Sequence, residues 1–134
     1  MTTLEKAKIA EDRAYKKYGG YKHLYYNGTV PDLVRYHNGV CELIEVKYFD
    51  LGTYSNISDR ICGIRKEIEH RRECFKQYPH ETKQRLYILF VNARKRGATA
   101  KELKNEVYRT LGDQNIKIDI DVCEDMLESE GDLK

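Results

Sequence analysis

The chain has 134 residues, of which 40% are hydrophobic and 34% charged, and this size and composition predict one globular domain. No apolar run approaches the roughly 18 residues that a membrane-spanning helix requires. A charged segment rather than a signal peptide follows Met1, so we expect a cytoplasmic protein with no membrane partner. The four cysteines are scattered without a CxxC pair, which indicates reduced thiols rather than a zinc site or a disulfide framework: Cys41, Cys62, Cys74 and Cys123.

The formal net charge of +2 hides an uneven distribution of charge along the chain. Residues 113–134 carry eight acids and two lysines, whereas residues 1–112 carry 22 basic and 14 acidic side chains. A basic body favours a polyanionic partner, because such a partner releases its counterions on binding. A solvated charged surface is the simpler alternative. We expect one folded domain over residues 1–122 and an acidic C-terminal tail over residues 123–134.

The first two predicted elements are a helix and a strand. Residues 3–18 carry apolar side chains at a loose spacing of three to four, and Gly19-Gly20 ends this predicted helix. Glu11 lies beside the apolar stripe of that helix. The aromatic-rich residues 21–26 predict a strand, which Asn27-Gly28 closes.

A predicted β-hairpin comes next. Leu33-Val34 opens its first strand, His37-Asn38-Gly39 supplies the turn, and residues 40–48 form its second strand. Together with the preceding strand, this hairpin predicts an antiparallel three-stranded meander.

Three charged residues of the hairpin need an explanation. Asp32 begins the first strand, whereas Glu45 and Lys47 are two apart on the second strand and therefore share one face. Charges within a sheet are costly to bury unless they pair or hold a metal ion. Two carboxylates and a lysine at one point predict a Mg²⁺ site with an adjacent cation, which suits phosphodiester chemistry. The structural alternative is a salt-bridged sheet edge.

A second helix and a central strand follow. Residues 48–56 read as an irregular stretch that borders the charged hairpin, and Tyr54 within it is a candidate DNA contact. Residues 58–78 predict a helix with Ser58 as its N-cap and with Arg60 on a basic surface that is either solvated or faces DNA. The continuous apolar run 86–91 predicts a central strand that is covered on both faces.

The last part of the chain predicts a basic loop, a third helix and an outer strand. Arg94, Lys95 and Arg96, which we call the basic segment, are the best phosphate-contact candidates outside the hairpin. Thr99 caps a helix that Gly112 ends, and the stripe of that helix consists of Leu103, Val107 and Leu111. Residues 116–122 alternate Ile or Val with charge, as an outer strand does.

At Pro31-Asp32 and Glu45-Val46-Lys47 the chain resembles the PD-(D/E)XK nuclease superfamily. Its hairpin is most similar to that of the archaeal Holliday-junction resolvases, which share an Asn-Gly turn and an apolar run ending in Ile-Glu-X-Lys. This resemblance implies an α/β fold with a restriction-endonuclease-like core, in which helices flank a mixed central β-sheet. The predicted order α-β-β-β-α-β-α-β agrees with that core. The residue-level match is confined to about 31–47 and Glu11, and the basic, glycine-serine-rich arm of the resolvases is not evident.

The resemblance also implies the roles of the site residues. Asp32, Glu45, the Val46 carbonyl and Glu11 would hold one or two Mg²⁺ (or Mn²⁺) ions, and Lys47 would orient the nucleophile. Glu11 fits the third acid that the first helix of the superfamily commonly donates, and Glu5 is the weaker candidate. The alternative for Glu11 is a solvated acid paired with a neighbour on the helix.

Three functions are therefore compatible with the sequence. The first is a structure-selective DNA endonuclease of the Holliday-junction-resolvase kind, which acts in recombination or repair as a homodimer because symmetric nicking needs two sites. The second is another nuclease of the superfamily, of a restriction-like, nicking or repair type. The third is a DNA-binding module that has kept the fold and lost the activity.

Overall fold

The computed structural model describes residues 2–19, 21–22, 33–53, 57–72, 81–112 and 116–125. Within these ranges the chain forms four helices and five strands, in an order that matches the sequence-based prediction apart from one additional short helix. The elements are α1 (Thr3–Tyr18), β1 (Tyr21–Lys22), β2 (Leu33–His37), β3 (Val40–Asp50), α2 (Ile57–Arg72), β4 (Glu81–Val91), α3 (Ala93–Arg96), α4 (Ala100–Leu111) and β5 (Lys117–Val122).

The strands form one mixed sheet in the order β1-β2-β3-β4-β5. The two-residue β1 pairs antiparallel with β2, and β2 pairs antiparallel with β3. The pairs β3–β4 and β4–β5 are parallel, with α2 and then α3 and α4 in the crossovers. The predicted α/β class, with a mixed sheet flanked by helices, is therefore confirmed.

Helices cover the sheet on both faces. On one face, α2 and α4 pack on alternate side chains of the central strands, among them Phe49, Ile88 and Phe90. On the other face, α1 packs on Ile44 and Leu89 through its small stripe residues. The alternation follows from the pleat of each strand. Residues 86–91 of β4 are buried on both faces because β4 lies between two parallel neighbours and helices cover both sides.

Local signals fix several element ends as predicted. Thr2 caps α1 in a capping box with Glu5, and Thr99 caps α4. The hairpin turn lies at Asn38-Gly39, where both residues have a positive φ, as a tight two-residue turn between twisted strands requires. Gly112 ends α4.

Four predicted assignments are wrong. Strand β3 continues to Asp50 instead of ending at residue 48. Ser58 lies inside α2, which begins at Ile57, and its hydroxyl donates to Glu106 of α4 instead of capping its own helix. Strand β4 begins at Glu81 rather than at residue 86, because its polar first half pairs with β3 over residues 40–44. The basic segment belongs to the one-turn helix α3 rather than to a loop.

None of the helices in the described ranges is long and apolar enough to cross a membrane.

Candidate active-site cleft

One half of strand β3 borders an open cleft. Strand β2 pairs with β3 only over Val40–Ile44, whereas β4 pairs with β3 over its full length, Val40–Asp50. In the described part of the chain, residues 45–50 therefore have a strand neighbour on the β4 side alone. The last register pair between β2 and β3 is Leu33 with Ile44. In sequence, Leu33 directly follows Asp32 and Ile44 directly precedes Glu45.

The cleft has a volume of about 430 Å³ and receives side chains from α1, β3, the turn after β3 and α2. Five residues that the sequence singled out line it: Glu11, Glu45, Val46, Lys47 and Arg60. Helix α1 contributes Glu11 because the helix crosses the sheet face beside β3. Asp32 and Tyr54 lie outside the described residues.

The side chain of Lys47 lies between two carboxylates. Its Nζ is 3.6 Å from Glu45 Oε1 on the same strand and 2.6 Å from Glu67 Oε2 on α2. Glu45 and Lys47 share a strand face, as predicted, and that face is the one on which α2 packs. The side chain of Glu45 is 11% exposed and that of Glu67 46%, so Lys47 joins a buried acid to a half-exposed one.

A second lysine enters the cleft from α1. Lys6 Nζ is 3.3 Å from Oδ2 of Asp50, the last residue of β3. The other oxygen of Asp50 accepts hydrogen bonds from Asn92 Nδ2 at 2.7 Å and from the Gly52 N–H at 2.9 Å. Burial alone would raise the pKa of Asp50, but these bonds, together with Lys6, hold the pKa of the carboxyl below its ordinary value. No pattern in the sequence distinguishes Lys6 or Asp50 from other charged residues.

A charged cluster on the α1 face of the sheet lies apart from the cleft lining. Arg85 donates to Glu42 at 3.0 Å and to Asp119 at 2.6 Å, and Arg35 donates to the same Glu42 oxygen at 2.6 Å. Both guanidinium groups lie over the ring of Tyr18, whose hydroxyl donates to Asp119. Burial opposes the charged form of Asp119, yet the donors Tyr18 and Arg85 hold the pKa of Asp119 below its ordinary value.

A similar arrangement surrounds Asp121, two residues after Asp119 on β5. The fully buried Tyr87 donates to Asp121 Oδ2 at 2.6 Å, and Arg13 reaches the same oxygen at 3.2 Å. Although burial opposes the charged form of Asp121, the hydroxyl of Tyr87, Lys17 and Arg13 together keep the pKa of this carboxyl below its ordinary value. These satisfied pairs tie α1 to the sheet and explain the charges that alternate along β5.

The basic segment is partly neutralised by the residues that follow β5. Arg94 forms exposed ion pairs with Glu124 and, at 3.3 Å, with Asp125. Lys95 lies beside the turn after β3, since a Cβ placed on Gly52 would be 3.2 Å from Lys95 Cδ. Lys95 and Arg96 are exposed, but the basic segment does not line the 430 Å³ cleft.

The fit of a metal ion to the cleft depends on residues of which only some are described. Glu11 and Glu45 line the cleft and carry the oxygen ligands that Mg²⁺ prefers. Among the described residues, no group of three or more His, Cys, Asp or Glu side chains is placed to hold a metal ion. The remaining carboxylate of the expected ligand set, Asp32, is not one of the described residues. The metal site therefore stays a prediction.

No family model, no curated protein and no solved structure matches this chain.

Proposed function

We propose that this chain is a metal-dependent DNA endonuclease that hydrolyses phosphodiester bonds, with a restriction-endonuclease-like core of the PD-(D/E)XK type. The observation that carries the proposal is the meeting of Glu11, Glu45 and Lys47 in one cleft, although they come from a helix and a strand 34 residues apart. The hairpin register supports it, because the residue that follows Leu33's partner is Glu45 and the residue that precedes Leu33 is Asp32.

Each residue has a defined task in this proposal. Asp32, Glu45, Glu11 and the Val46 carbonyl would hold Mg²⁺ or Mn²⁺, which when bound would lower the pKa of an attacking water and offset phosphate charge. Lys47 would donate to the phosphoryl oxygen or to the nucleophile as negative charge develops. Arg60 would contact the DNA backbone at the cleft entrance, because it lines both this cleft and the adjoining one toward α2.

The preferred substrate follows from the resemblance of the hairpin. A branched DNA such as a four-way junction is the first candidate, and a homodimer would supply the two sites that paired nicking needs. A linear duplex, a flap or a nicked site would fit another nuclease of the same superfamily.

One observation favours a different function. Lys47 is already held by Glu67 at 2.6 Å, as a structural ion pair would be. A DNA-binding module that has this fold but does not cleave is therefore the second candidate.

Cleavage assays separate these functions. The purified chain is incubated with four-way junctions, flaps, linear duplex and single strands in Mg²⁺, in Mn²⁺ and in EDTA. We expect metal-dependent products with 5′-phosphate and 3′-hydroxyl ends. Asp32→Asn and Glu45→Gln should abolish cleavage, whereas DNA binding in EDTA should survive or improve because a carboxylate that repels phosphate has been neutralised.

Glu69→Gln is the matched control, since Glu69 is an exposed acid of α2 that does not line the cleft. Cleavage by Asp32→Asn or Glu45→Gln at the wild-type rate would overturn the metal assignment. Binding without cleavage of any of these substrates would favour the second candidate.

A further inference from the structure

The carboxylate of Asp50 is fixed in place independently of Lys6. Asp50 is 3% exposed, and one of its oxygens accepts two hydrogen bonds, from the Asn92 side chain and the Gly52 backbone. Asn92 is itself 2% exposed, and its backbone N–H donates to the carbonyl of Asp125 at 3.3 Å. The carboxyl edge of β3 and β4 thus presents one immobilised oxygen, Asp50 Oδ2, to the α1 side of the cleft.

The ammonium group of Lys6 contacts this oxygen. An ammonium group has three N–H donors, and within the described ranges Asp50 Oδ2 is the acceptor that Lys6 Nζ contacts. The Lys6 side chain is 23% exposed and lines the same cleft as Glu45 and Lys47. Lys47 differs, since two carboxylates already surround it.

We propose that Lys6, positioned by the buried Asp50, is a phosphate-binding residue of the cleft and contacts a DNA phosphodiester beside the one that Lys47 serves. This inference rests on the proposed function for the identity of its ligand as DNA. Two lysines from different elements in a cleft of about 430 Å³ can hold neighbouring phosphates, and such contacts would position the strand across the site. Asp50 restrains a flexible four-carbon side chain before DNA arrives, so less conformational entropy is lost on binding.

A structural role is the competing explanation. The pair of Lys6 and Asp50 joins α1 to the end of β3, and it could serve only to hold the helix on the sheet. The two explanations differ in what happens to DNA binding when the charge is removed and the protein remains folded.

The salt dependence of DNA binding in EDTA tests the proposal. The affinity of the full chain for a fluorescein-labelled four-way junction and for a 20-base-pair duplex is measured by anisotropy over a range of KCl concentrations. The variants are Lys6→Met, Lys6→Gln and Lys6→Arg, with Lys8→Met as the matched control because Lys8 is an exposed lysine of the same helix outside the cleft. Lys6→Gln removes the charge but keeps an N–H donor for Asp50, which protects the fold.

We expect Lys6→Met and Lys6→Gln to reduce the slope of log K against log salt by about 0.9, the value of one lost phosphate contact. Lys6→Arg should restore the slope, and Lys8→Met should leave it unchanged. A wild-type slope in Lys6→Gln, or an equal reduction in Lys8→Met, would overturn the proposal.

A second measurement needs no variant. Acetylation of the wild-type chain, followed by mass spectrometry, should show that DNA protects Lys6 more than it protects Lys8. Equal protection of the two lysines would also overturn the proposal. Because both measurements use metal-free protein, a Lys6-dependent slope without cleavage would refute the nuclease function alone, whereas cleavage with unchanged slopes would refute the role of Lys6 alone.

Discussion

Replacement of Lys47 separates the catalytic role of this residue from a structural one. In Lys47→Met the strand keeps an apolar stem of similar length, but Glu45 and Glu67 lose their shared cation. If the ion pair is structural, its loss should lower the free energy of unfolding. If Lys47 is catalytic, its loss should lower the rate of the chemical step, because a catalytic cation stabilises the transition state more than the bound ground state.

The structure bounds the stability effect. The pair with Glu67 is half exposed, so its loss should cost between 0 and about 1 kcal/mol. The pair with Glu45 is more buried, but its 3.6 Å separation and the 25% exposure of Lys47 weaken it. We therefore expect about 1–2 kcal/mol for that pair, below the several kcal/mol of a fully buried pair. The sum, about 1–3 kcal/mol, corresponds to a melting temperature lower by roughly 3–10 °C in a domain of this size.

The rate effect should be separable from this loss of stability. We expect single-turnover cleavage by Lys47→Met to fall about a hundredfold, or roughly 3 kcal/mol of barrier, at a temperature where the variant is fully folded. DNA affinity should change little. Lys66→Met, which removes an exposed lysine of α2, should alter neither quantity. A large drop in melting temperature with the cleavage rate per folded molecule intact would refute the catalytic reasoning.

Three further predictions concern the surface and the fold. Neutralising the whole basic segment should reduce the slope of log K against log salt for DNA binding by about two units rather than three, because Arg94 is already paired with the residues after β5. An unchanged slope would mean that the segment is only a solvated surface. The pKa values of Asp50, Asp119 and Asp121 are held below their ordinary range, so the stability that these carboxylates contribute is complete well above pH 4 and is lost as the pH falls through their folded-state pKa values. Urea titrations at pH 7, 5, 4 and 3 should show this loss, and a constant unfolding free energy down to pH 3 would contradict it. Tyr87→Phe should lower the free energy of unfolding by about 1.5–3 kcal/mol, because a buried hydrogen bond from a hydroxyl to a carboxylate is lost, whereas Tyr108→Phe, at an exposed hydroxyl, should lower it little. Equal melting temperatures for the two variants would argue against a stabilising role of the bond between Tyr87 and Asp121.

The elements that the sequence predicts correctly are those with local signals. The capped helices α1 and α4 have an apolar stripe, a polar cap at the start and a glycine at the end, so their bounds follow from neighbouring residues. The hairpin turn at Asn38-Gly39 is likewise encoded in two residues. The start of β4 could not be predicted, because Glu81 to Arg85 carry no apolar pattern and their strand geometry comes from pairing with β3.

The residues of the site also divide into those with a local sequence signal and those without one. Glu45 and Lys47 are two apart on one strand, and their common face follows from the pleat. The contacts between Lys47 and Glu67 and between Lys6 and Asp50 join residues 20 and 44 apart in sequence. Such pairs are fixed by how α1 and α2 lie on the sheet, which a single sequence does not encode in any local pattern.

The backbone of the residues after β5 is hydrogen-bonded to the residues that follow β4. The N–H groups of Asn92, Ala93 and Arg94 donate to the carbonyls of Asp125, Cys123 and Glu124. Asn92 in turn holds Asp50, and Asp50 holds Lys6 near the start of the chain.

During synthesis, the complete set of contacts that links position 6 to residues 123–125 can therefore form only after residues 123–125 have left the ribosome. A nascent chain that has already formed the hairpin and α2 would carry the motif residues without this anchor. The order of translation thus delays the complete set of contacts behind Asp50 until almost the whole domain has been made.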